Sequence, residues 1–149
     1  MAAAEKLKPL EGFFTRKGSI LPNRPVLEFK PEDVRRLFAE LVKALGPDGF
    51  FVSTIAATDL PEEGRVRLDY FVVLLPEEET VVLRTHLPRD KPVIESVSDL
   101  VPGALPGECE AYDLLGVVFE GNAHLRRGFL APEDVVELGE YPLRKDSKV

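Results

Sequence analysis

The strongest constraint on this fold is how little chain separates three runs rich in apolar, β-branched and aromatic residues: Phe50 to Leu60, Val66 to Leu75 and Thr80 to Leu87. Pro61-Glu62-Glu63-Gly64 joins the first pair and Pro76-Glu77-Glu78-Glu79 the second. Parallel neighbours need a long crossover, whereas links this short close hairpins, so the three runs predict an antiparallel meander. One face of such a sheet needs a cover, and the preceding segment supplies it. Pro31 at the first helical position, Glu32 and Asp33 in the first turn and Gly46-Pro47 as a stop predict a helix. Its residues Val34, Leu37, Phe38, Leu41, Val42 and Leu45 recur at the spacing that buries one helical face.

The remaining segments are read more coarsely. Val26 to Phe29 is a short strand, and residues 1–25, interrupted by Pro9, Gly12, Gly18, Pro22 and Pro25, read as an irregular arm carrying Phe13 and Phe14. After Pro92, the residues Val93, Ile94, Val97, Leu100 and Val101 predict a helix broken at Pro102-Gly103, and a further short helix follows Pro106-Gly107 and runs to Gly116. Beyond Val117 no period survives, yet Phe119, Leu125, Phe129, Leu130, Val135, Val136, Leu138, Tyr141 and Leu143 are too apolar for a disordered tail. Such a segment either folds back over its own sheet or is ordered by another surface. The expected fold is α+β: a small, mostly antiparallel sheet with two to three helices packed on it and an irregular C-terminal extension. It divides into an arm (1–25), an α+β domain (26–119) and an extended partner-binding tail (120–149).

Several classes of function are excluded by what the chain lacks. Its 19 basic and 26 acidic residues leave a net charge of −7, the wrong sign for gripping a phosphate backbone. Cys109, alone, cannot make a disulfide or a cysteine-rich metal site within the chain. No apolar run approaches the roughly 20 residues that span a bilayer, and the opening Met-Ala-Ala-Ala-Glu-Lys has no signal-like apolar stretch, so a soluble intracellular protein is expected. His86 and His124 have no partner at ligand spacing, the glycines form no phosphate loop, and Cys109 lies between Glu108 and Glu110, whose charges raise a thiol pKa. The carboxylates of Glu108, Glu110 and Asp113 do cluster. They form either a polar lock with Arg126 and Arg127 or, as an alternative, the working part of a freestanding small enzyme or binding domain.

Glu108-Cys109-Glu110-Ala111-Tyr112-Asp113-Leu114-Leu115-Gly116-Val117-Val118-Phe119-Glu120-Gly121, followed by Leu125-Arg126-Arg127, Pro132-Glu133-Asp134 and Pro142-Leu143-Arg144-Lys145-Asp146, resembles a known signature. It is that of the 30 kDa hydrophilic subunit of respiratory complex I, shared with the related subunit of membrane-bound energy-converting hydrogenases. The usual run is Glu-Arg-Glu-x-Tyr-Asp-Leu/Met-Phe-Gly-Ile-x-Phe-x-Gly-His-Pro-x-Leu-Arg-Arg. Here Cys109 stands for Arg, Leu115 for Phe and Asn122-Ala123 for His-Pro, while Gly128 to Ala131 and Val135 to Tyr141 are longer, which points to a hydrogenase-like or archaeal relative.

The resemblance implies a non-catalytic subunit with no cofactor or metal of its own. It would brace a large nickel–iron-hydrogenase-like (49 kDa type) subunit and neighbouring iron–sulfur subunits near a quinone or hydrogen site. Its location would be cytoplasmic, on the inner face of the cell membrane and attached only through the complex. The residues matched to the motif then take interface or locking roles. Glu108, Glu110 and Asp113 pair with Arg126, Arg127 or partner arginines, and Tyr112 offers a hydroxyl to a buried acceptor. Gly116 ends a helix, Pro132, Glu133 and Asp134 start a turn or helix, and Pro142, Leu143, Arg144, Lys145 and Asp146 face the partner.

Overall fold

The computed structural model describes residues 2–20 and 24–148; Pro22, read above as part of the arm's punctuation, lies outside the described residues. In chain order the elements are α1 (Ala2–Lys6), β1 (Phe14–Ile20), β2 (Arg24–Phe29), α2 (Val34–Leu45), β3 (Phe50–Leu60), β4 (Arg65–Leu74), β5 (Glu79–Pro88), β6 (Val93–Glu95), α3 (Leu105–Leu115), β7 (Val118–Glu120) and α4 (Glu133–Glu137). Five strands form one sheet in the order β1-β2-β5-β4-β3. The meander β3-β4-β5 is antiparallel as its short links require, with Ile55 opposite Tyr70 and Tyr70 opposite Leu83. β2 joins parallel to β5, and β1 closes the far edge antiparallel to β2.

Alternation along β4 sets the layers. Val66, Leu68, Tyr70, Val72 and Leu74 are buried on one side, while Arg65, Arg67, Phe71 and Val73 are the more exposed set. α2 lays Val34, Leu37, Phe38 and Leu41 onto the buried side, with the Phe38 and Tyr70 rings 5.1 Å apart between centroids. α3 packs on the same side, where a Cβ placed on Gly107 would lie 2.9 Å from Ile55 Cγ1, so only glycine permits this approach. On the opposite side Asp69 is buried by its neighbours and accepts hydrogen bonds from Arg84 at 2.7 and 3.3 Å.

Two expectations are corrected. Residues 92–101 are not helical: β6 pairs in parallel with β7, an interaction sealed by Val118 N–H to Pro92 O (2.9 Å) and Ser96 N–H to Glu120 O (2.8 Å). The apolar spacing of Val97 and Val101 reflects burial of an irregular turn, since both are core residues. Nor is the stretch before β2 irregular. Its strand β1 escaped notice because it is an edge whose middle five residues are exposed, which leaves no alternation to read. Leu7 and Leu10 are buried in the main core, and Lys6 Nζ donates to Leu75 O at 2.6 Å, tying the first turns to the end of β4.

Leu10→Ala therefore carries the cost of a core truncation. Urea unfolding at neutral pH is expected to show a loss of about 2–5 kcal/mol, whereas a dangling arm would leave the midpoint where it was.

Candidate functional site

The motif residues converge on α3 and on the segment that follows β7, so the helix decides which side chains can meet. At about 100° per residue, Glu108 and Glu110 differ by about 200° and Glu108 and Asp113 by about 140° around the axis. Glu110 and Asp113 are only about 60° apart, yet Asp113 is fully buried and engaged while Glu110 is half-buried and makes no side-chain bond among the described residues, so the three carboxylates do not act as one cluster.

Asp113 is fully buried and acts as an acceptor hub. It receives the backbone N–H groups of Gly128 (2.7 Å), Leu130 (2.6 Å) and Ala131 (2.7 Å) and the Arg127 Nε–H at 3.2 Å. Burial alone would raise its pKa; the three amides and the guanidinium outweigh that and hold the carboxyl below the ordinary aspartate range. Arg127 extends the lock by donating to the Glu140 carbonyl and stacking over the Tyr141 ring, 4.1 Å from its centroid. Tyr141 in turn covers Gly116, which ends α3 at φ +90°; a Cβ there would meet the ring at 3.4 Å in a backbone conformation that disfavours side chains.

Glu108 is also fully buried but has no cation. It accepts from Ser96 Oγ (2.6 Å), Val97 N–H (2.9 Å) and Asn122 Nδ2 (2.9 Å), joining the two loops that flank the β6–β7 pair. Burial raises its pKa, and these neutral donors only partly offset the effect. Burial, then the Glu108 charge, also pushes the neighbouring Cys109 thiol up, so it is held as a thiol.

The last motif block is fixed by an acid that sequence reasoning missed. Asp59, buried at the end of β3, accepts a bidentate pair from Arg89 (2.6 and 2.9 Å) and the Lys145 N–H at 2.7 Å, with Arg89 chiefly responsible for its lowered pKa. Asp146 pairs with Arg144 at 3.1 Å and lies 3.6 Å from Arg89, while Leu143 N–H reaches Leu114 O at 2.8 Å. Asp59 falls in the inward phase of β3 with Ile55 and Ala57. A carboxylate in that phase is a signal that could have been read. Ser96, Asn122 and Tyr141 were likewise missed, because each acts across a long loop.

The other motif residues are placed differently from the expected lock. Of the expected pairs only Asp113 with Arg127 forms; among the described residues the side chains of half-buried Glu110, half-buried Tyr112 and exposed Arg126 make no hydrogen bond or ion pair. Pro132 precedes α4, with Glu133 and Asp134 exposed in its first turn, and Pro142 is half-buried. Around these anchors the tail leaves large apolar side chains outside: Phe129 is 37% exposed, Leu130 56%, Leu138 69% and Leu143 50%. Among the described residues no three His, Cys, Asp or Glu side chains are grouped to hold a metal, and no helix is long and apolar enough to cross a membrane. What the arrangement offers is a backbone clamped to the body with several large apolar side chains left exposed.

Residues 27–149 match the family model described as "Respiratory-chain NADH dehydrogenase, 30 Kd subunit". A subunit of the NADH-quinone oxidoreductase of Moorella thermoacetica is 33% identical over 125 residues, 84% of this chain and 80% of that protein. The beta subunit of the membrane-bound hydrogenase of Pyrococcus furiosus is 41% identical over 73 residues, but these are 49% of this chain and only 41% of that protein. A chain in the structure of the membrane-bound sulfane sulfur reductase, an archaeal respiratory membrane complex, superposes with a TM-score of 0.75 at 28% identity, covering 100% of this chain and 87% of that one.

Asp113→Asn tests the clamp. Removing one partner of a buried ion pair is expected to cost about 3–5 kcal/mol at pH 7, to speed exchange of the amides at 128, 130 and 131 and to open the tail to trypsin. The sign with pH follows from the lowered pKa values of Asp59 and Asp113. Their contribution is present above the unfolded aspartate pKa of about 3.9 and is lost as pH falls through the lower folded values. Acid denaturation curves should therefore fall less steeply in the variant than in the native chain.

Proposed function

The chain belongs to the 30 kDa subunit family of the respiratory-chain NADH dehydrogenase, and from that premise we propose that it is a non-catalytic brace within a membrane-associated oxidoreductase assembly. It partners other subunits of such a multi-subunit complex. The finer reading is that it lies on the inner face of the membrane, against a large nickel–iron-hydrogenase-like subunit and its iron–sulfur neighbours, close to a quinone or hydrogen site. Its residues would carry no electrons. Electron transfer and substrate reduction depend on how accurately neighbouring chains hold their centres, and a rigid domain contributes by limiting their movement.

One observation carries this reading: the tail is clamped to its own body through Asp113 and Asp59 while Phe129, Leu130, Leu138 and Leu143 point outward. A segment that folded only to cover its own sheet would bury such side chains. A segment prepared for a partner fixes its backbone first, which reduces the ordering cost of association. Asp113, Arg127 and Gly116 then hold this surface from behind, and residues 120–149 form the partner-facing region.

Tagging the chain in its native host and solubilising the membranes gently is expected to recover an oxidoreductase assembly, with the isolated chain colourless and without oxidoreductase activity. Leu138→Asp separates interface from fold. As a surface change it should shift the isolated chain's stability by no more than about 0.5 kcal/mol, yet sharply reduce recovery of the other subunits. Recovery of the native chain alone would refute the subunit role, and unchanged recovery of the variant would refute the interface.

A further inference from the structure

We infer that the cleft between the start of α3 and the loop after β7 is a docking site for a partner-subunit segment carrying a carboxylate beside an apolar side chain; this rests on the subunit reading above. The cleft has a volume of about 420 Å³ and is lined by apolar Leu105, Pro106, Leu125 and Phe129 together with Cys109, His124 and Arg126. Most of the lining is apolar, and the buried Cys109 thiol is engaged with the His124 carbonyl at 3.8 Å. Arg126 is the only residue of the lining that is formally charged at neutral pH.

The state of Arg126 sets the polarity of the occupant. This is an acidic chain, and its arginines are used internally: Arg16, Arg35, Arg36, Arg65, Arg67, Arg84, Arg89, Arg127 and Arg144 all form ion pairs. Among the described residues only Arg24 and Arg126 do not, and Arg126 lines this cleft. Its neighbour Arg127 is fully committed to Asp113, Glu140 and Tyr141. An unpaired guanidinium beside apolar walls presents a planar fork of donors, which favours a carboxylate among protein groups. Phe129 and the adjacent Leu130, both exposed, offer the apolar contact next to it.

The test places the photo-crosslinking residue p-benzoylphenylalanine at position 129 of the full chain, in the assembly purified from its native host, and identifies the cross-linked peptide by mass spectrometry. The expected peptide belongs to a different subunit and has Asp or Glu within two residues of an aliphatic or aromatic residue. Arg126→Glu should lower the cross-link yield at least tenfold while leaving the isolated chain's melting temperature unchanged, and reversing the partner acid to Lys should restore the yield. Cross-linking to a second copy of this chain, to its own residues or to a segment without an acid overturns the inference, as does a yield indifferent to Arg126→Glu. Recovery of the chain with no other subunit overturns the subunit reading as well; an intact assembly cross-linked elsewhere overturns this inference alone.

Discussion

An irregular backbone has no ladder of its own, so each buried N–H must find an acceptor elsewhere or carry a desolvation cost of about 1–3 kcal/mol. The Asp113 carboxylate meets that demand for the segment after β7. It collects three amides of the 128–131 turn and the Arg127 side chain. Arg127 passes the constraint on to Glu140 and Tyr141, and Tyr141 in turn presses on Gly116 at the end of the helix that carries Asp113. The path of the tail, and with it the outward display of its leucines, depends on this closed loop of contacts.

The chain uses buried carboxylates in two electrostatic manners. Asp113 and Asp59 sit with arginines and are held ionised, so they favour the fold above the ordinary aspartate pKa. Glu108 sits among neutral donors and is shifted the other way, and its contribution belongs to low pH and is lost as pH rises through its folded value. The first kind joins the tail to the body. The second joins loops within the body, where a cation would have to be buried as well.

The central sheet and α2 could be read from the sequence because each has a period that burial imposes: alternation in β4 and the Leu37, Phe38, Leu41 stripe in α2. β1 could not, since an exposed edge strand has no buried side to mark it, and β6 could not, since three residues are too few to repeat the two-residue alternation. At the site, the acids of the motif stood out locally, but their partners did not. Asp113 and Gly128 are close in the chain, whereas Lys145 meets Asp59 across 86 residues, and only the folded sheet brings them together. The expected pairing of Arg126 failed for a related reason: adjacent residues after a turn point in different directions, so Arg127 reaches Asp113 while Arg126 lies over the start of the helix.

The parallel pairing of β2 with β5 has a consequence for the order of assembly. The meander β3-β4-β5 is built from neighbours in the chain, but β2 must wait for a strand whose first residue follows Phe29 by 50 positions. During synthesis the β1–β2 ribbon leaves the ribosome well before the strand it docks on. Until β5 emerges, the inward side of that ribbon, with Leu27 and Phe29, stays wet and open to unintended company.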